Sequence, residues 1–89
     1  MTVVFRYEIP VDGEWHDLEL SGQILQVASR KPDLVELWAF QGADLPRARR
    51  LQAFGTGQPL PEDTAVLHVG TALAPGGFVW HLFEAVAFG

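Results

Sequence analysis

The chain of 89 residues has no cysteine, one methionine, one tyrosine and a single lysine, Lys31. Without cysteine there is no disulfide framework and no thiolate for catalysis or metal binding, so stability has to come from packing or from a partner. Hydroxyls are also few. Thr2, Ser21, Ser29, Thr56, Thr64 and Thr71 include no Gly-x-Ser-x-Gly elbow and no serine beside a histidine. No run approaches the roughly 20 apolar residues that cross a bilayer. The opening Met1 to Arg6 moves straight into alternation, without the basic flank and apolar core of a signal peptide. The expectation is a soluble, cytoplasmic protein with no membrane contact. Positive charge is scarce, with six Lys and Arg against eleven Asp and Glu and a net charge of −5, which disfavours direct binding to nucleic acid.

Apolar residues, by contrast, make up 48% of the chain and include three Trp and six Phe, enough for one core and too little length for two. Residues 1–89 are therefore expected to form a single compact β domain. Val3, Phe5, Tyr7 and Ile9 alternate with Val4, Arg6 and Glu8, which predicts a first strand burying its odd positions. Pro10 stops it, Asp12-Gly13 turns the chain, and Asp17 to Leu20 resumes the period of two, so the first two strands are expected to pair as a hairpin. Ser21-Gly22 leads into Ile24 to Ser29. Lys31-Pro32-Asp33 then leads into Leu34 to Phe40, where Leu34, Glu36, Trp38 and Phe40 share a mixed face that is either covered or offered to a partner. Arg47 to Phe54 reads best as a strand, with a short helix as the fallback. Ala65 to Thr71 and Phe78 to Glu84 complete six or seven strands. The fold expected is all-β, a small antiparallel sandwich or partly open barrel with at most one short helical turn. The apolar tail Ala85 to Phe88 either completes a sheet or mediates self-association, so a homodimer through a sheet edge or this tail is one expectation.

The chemistry-bearing residues are sparse. His16, His68 and His81 are the only imidazoles and none has ligand-like spacing, so no metal or other cofactor is expected. His81 and Glu84 lie three apart on one strand and point to opposite faces, which argues against a local acid/base pair there. No catalytic residue is assigned and the chain reads as non-enzymatic. Arg47, Arg49 and Arg50 hold half of the basic residues and form either a local patch or a solvated strand edge. Together with Trp15, Trp38 and Trp80 they are the candidate partner contacts, because aromatic and Arg anchors dominate interfaces. The loop Gly55-Thr56-Gly57-Gln58, with His81, is the candidate ligand contact, since its glycines can turn backbone amides toward an anion.

Val4-Phe5-Arg6-Tyr7-Glu8-Ile9-Pro10, Leu37-Trp38-Ala39, the loop Gly55 to Pro61, and His68-Val69-Gly70-Thr71 followed by Phe78 to Glu84 resemble, in order, a family of small uncharacterised proteins of bacteriophages and their bacterial hosts. Relatives carry His where this chain has Gln58, so no role of that histidine transfers. The resemblance implies a phage-related accessory protein acting in the host cytoplasm. With the acidic balance it gives the leading expectation, a protein-binding modulator or inhibitor of a host factor. A structural homo-oligomeric subunit of a virion and a small-ligand-binding barrel are the alternatives.

Overall fold

The computed structural model describes residues 1–42 and 44–86. Seven strands follow in order: β1 (Val3–Pro10), β2 (His16–Leu20), β3 (Ile24–Lys31), β4 (Leu34–Gln41), β5 (Arg47–Gly55), β6 (Val66–Leu73) and β7 (Val79–Ala85). They form two antiparallel sheets, β1-β4-β3 and β2-β5-β7-β6, facing each other as a sandwich. The all-β fold with seven short strands agrees with the alternation read from the sequence, and Arg47 to Phe54 is a strand. Among the described residues the one helical turn is a 3-10 turn at Pro75–Gly77, not at Arg47 to Phe54. Among the described residues no helix is long and apolar enough to cross a membrane.

The expected β1-β2 hairpin does not form. β1 pairs with β4, Val3 opposite Gln41 through Pro10 opposite Leu34, and β2 pairs with β5. The Asp12-Gly13 turn, with Gly13 at φ 76°, reverses the chain but carries it from one sheet to the other. Burial of the odd positions of β1 is also only half realised. Ile9 is buried and Tyr7 half-buried, whereas Val3 and Phe5 stay exposed.

The core fills the gap between the sheets. Ile9, Val35, Leu37, Leu51 and Leu82 are fully buried there, with Tyr7, Leu18 and Trp80 packed around them. β3 and β6, edge strands of opposite sheets, lean together, and a Cβ built on Gly70 would stand 2.7 Å from Val27 Cγ2. Only glycine lets the sheets approach this closely.

β5 and β6 both run antiparallel to β7 and are therefore parallel to each other. The connector 56–65 has to return along the whole sheet, and its first residue, Thr56, bonds His81 on the outer face. On that face Trp15, Phe54, Phe83 and His68 stand edge to face in succession, with ring centroids 5.9, 5.8 and 5.4 Å apart. Gln52 and Phe54 are buried although they point away from the core. The sandwich thus carries a second, outer aromatic layer, favoured by edge-to-face ring geometry.

Candidate functional site

Cross-strand register places Phe54, His81 and Thr71 in one outward row of the second sheet and Gln52, Phe83 and His68 in the next. The bulge at His68/Gly70 swings His68 toward Thr71. The result is a chain of hydrogen bonds: Thr56 Oγ1 to His81 Nε2 at 2.8 Å, His81 Nδ1 to Thr71 Oγ1 at 2.9 Å, and Thr71 Oγ1 to His68 Nε2 at 2.9 Å. With neutral rings the protons must all run one way, because the Thr71 hydroxyl donates to only one imidazole and accepts from the other. The arrangement orients both rings. It contains no carboxylate, so neither imidazole has the charged orienting group of a catalytic triad.

The glycine loop is a tight turn. Gln58 N–H donates to Gly55 O at 3.1 Å, the Gln58 side-chain Oε1 accepts the Gly55 amide at 2.9 Å, and Gly57 has φ 86°. Gln58 therefore occupies an amide that an anion would need. Arg49 and Arg50 do not reach this loop. They lie five or six residues earlier on β5, roughly 16–20 Å away along an extended strand.

The three clustered arginines do not form one patch. Arg49 pairs bidentately with Glu84, Nε to Oε2 at 2.8 Å and Nη2 to Oε1 at 2.7 Å, and donates to Gly22 O. Arg50 points to the opposite face and meets Asp17 at 3.1 Å. Arg47 is exposed. Glu84 raises the Arg49 pKa, and Asp17 raises that of Arg50, each chiefly by hydrogen bonding. His81 and Glu84 face opposite sides, as the sequence predicts.

The three tryptophans have separate settings. Trp15 packs on Phe54. Trp80 stacks on Phe78 and donates its indole N–H to Pro32 O at 2.8 Å, tying the second sheet to the β3-β4 turn. Trp38 stands half-buried on the outward face of the first sheet, opposite Arg6 and Gln26. A groove lies between Ser21–Gln23 and Asp44–Arg47, and Trp80 does not line it.

On that same outward face is a group the sequence did not identify. Glu36, the polar residue in the apolar run Leu34 to Phe40, is only 3% exposed. Arg30 clamps it with Nε and Nη2, and Arg6 Nη1 adds a third bond at 2.8 Å. The Arg30 and Arg6 hydrogen bonds outweigh desolvation and hold its pKa at about 2, against an ordinary 4.5. The cover consists of the two guanidiniums themselves, whose side chains are 69% and 42% exposed, so solvent screens the cluster and its net worth is modest. Because the folded pKa is depressed, the clamp contributes fully above about pH 4.5, and its contribution is lost as pH falls toward about 2. Thermal melts should find Glu36→Gln less stable than the parent at neutral pH, with the gap closing through that window. A gap that stays constant down to about pH 2.5 would mean the carboxylate does not titrate there.

Asp12 accepts from His16 Nε2 at 2.8 Å and from the Glu14 amide at 3.0 Å, and the His16 bond foremost holds its pKa below the usual value. Of the C-terminal tail, Ala85 ends β7 and Val86 donates to Ala65 O at 2.8 Å, so these two complete the sheet. Ala87 and Phe88 lie outside the described residues.

No curated protein and no solved structure matches the chain. A family model does match it, over residues 1–88, and with nearly its whole length covered the chain belongs to the family described as Domain of unknown function (DUF7352).

Proposed function

We propose that the chain is a non-enzymatic protein-binding accessory module that docks a basic partner, in the phage or its host, along its acidic β2 edge. The observation that carries this reading is how the charges are distributed. Nine of the eleven carboxylates are exposed, whereas Arg6, Arg30, Arg49 and Arg50 are engaged with Glu36, Glu84 and Asp17. Most cations are thus spent internally, and the field presented to a partner is negative. Asp12, Glu14, Asp17 and Glu19 all fall within the loop before β2 and β2 itself, an edge strand, with Trp15 among them. A negative edge with an aromatic beside it steers and then anchors a positively charged protein surface.

The test is a pull-down from phage-infected and uninfected host lysates, followed by binding to the isolated partner at increasing salt. A stoichiometric partner that weakens at least tenfold between about 50 and 500 mM salt is expected, since exposed charges are screened beyond a Debye length. Glu14→Lys with Glu19→Lys should weaken it further without lowering the melting temperature, because neither side chain makes a hydrogen bond or ion pair among those described. Binding indifferent to both salt and these reversals would refute the electrostatic docking.

A further inference from the structure

Strand edges differ sharply in how they are protected. β2 is five residues long and acidic; β3 carries two register breaks against β4; β6 has a bulge and leans on β3. β1 has neither brevity nor bulge. It runs eight residues in unbroken register with β4, and among the described residues no strand pairs with its other side. Val3, Val4 and Phe5 on it are 38%, 50% and 48% exposed. A long, regular edge with exposed apolar residues is a template for another strand.

The backbone tells which groups that strand would meet. Val11 N–H donates to Asp33 O at 2.9 Å, continuing the β1-β4 register by one residue. In an antiparallel ladder hydrogen-bonded pairs alternate, so odd residues of β1 bond to β4 while Val4, Arg6, Glu8 and Pro10 aim their backbone groups at the free side. Pro10 fits this phase, since the N–H it lacks would have pointed outward.

We infer that a second copy of the chain occupies this edge, β1 pairing antiparallel with β1 about a two-fold at Tyr7 to make a continuous six-stranded sheet. Only registers that match outward-aimed residues are available. A two-fold at Arg6 opposes arginine to arginine and one at Glu8 opposes glutamate to glutamate. A two-fold at Phe5 leaves Glu8 opposite Thr2. With the two-fold at Tyr7, Arg6 faces Glu8 of the second copy twice over, and opposite charges directly across a ladder stabilise it. Phe5 then faces Ile9 and Val4 faces Pro10, whose carbonyl accepts the Val4 amide. Each Arg6 then lies between Glu36 of its own copy, which it already bonds, and Glu8 of the second. The interface is a single strand pair, so dissociation in the micromolar range is expected.

Light scattering and amide exchange across a concentration series test this directly. The expected result is twice the monomer mass at about 500 μM, with Val4, Arg6 and Glu8 amides exchanging more than about tenfold slower there than at about 5 μM. Phe5, Tyr7 and Ile9 should be protected at both concentrations. Val4→Pro, which removes only an outward amide, and Glu8→Arg, which opposes two arginines across the two-fold, should each return the monomer with its circular dichroism intact. A monomer at every concentration overturns the inference. So does a dimer that survives Val4→Pro, which must use another surface, or one broken by Val4→Pro but indifferent to Glu8→Arg, which must use another register. Neither result bears on the salt-sensitive partner binding, which is read at the β2 edge.

Discussion

Leu82→Ala is expected to cost about 3–4 kcal/mol. Leu82 is fully buried on β7, which has a strand on either side in the second sheet. Its neighbours in the same inward row are Ala53 on β5 and Gly70 on β6, so Leu82 alone supplies the bulk of that row. Alanine, alanine and glycine in a line would leave a cavity that no adjacent side chain can lean into, which places the loss toward the upper part of the range for such truncations. A domain of this size has about 4–13 kcal/mol in total, so the variant would stand close to unfolding at 37 °C. Urea titration should record the loss as a fall in midpoint with an unchanged slope. Leu73→Ala, on β6 with its side chain 79% exposed, should stay within about 0.5 kcal/mol. A Leu82→Ala loss under about 1 kcal/mol would mean that β3 and β6 collapse into the space and that the sandwich is softer than its packing implies.

Gly70→Ala should also be damaging, at about 1–3 kcal/mol from one added methyl group. The new Cβ would lie 2.7 Å from Val27 Cγ2, an overlap, and 3.0 Å from Val27 Cβ, a tight contact. Val27 cannot swing away. It is buried, and branching at Cβ restricts its χ1 freedom. The overlap must be relieved by parting β3 from β6, which opens the seam where the two sheets meet. Val27→Ala alone should also destabilise, by removing two methyl groups from the core cluster. Combining the two should recover at least about 1 kcal/mol relative to their sum, because the added methyl then occupies space the valine vacated. Strict additivity in that double-mutant cycle would show that the seam is not closed by this contact.

Gly42 illustrates the same kind of constraint at the chain start. It combines φ 86° with a backbone approach by the Met1 carbonyl that leaves no room for a Cβ. No local pattern in the sequence reveals that Met1 is the neighbour.

The sequence by itself determined the class of structure and the face each strand residue takes. Val35, Leu37 and Ala39 are buried and Leu34, Glu36, Trp38 and Phe40 oppose them, because the pleat puts successive side chains on opposite sides whatever the pairing. It also placed His81 and Glu84 on opposite faces and separated the strands at their Pro, Gly and Asp turns. Only the tertiary structure decided which strand lies beside which. A turn such as Asp12-Gly13 reverses the chain, but whether the next strand joins the same sheet or the facing one depends on partners far along the chain. Consequently the Glu36 clamp, closed by Arg6 from 30 residues away, and the Thr56-His81-Thr71-His68 chain were invisible locally. Phe54 is buried on an outward face for the same reason: parity fixes direction, while burial depends on what the rest of the chain lays beside that residue, here the rings of Trp15 and Phe83.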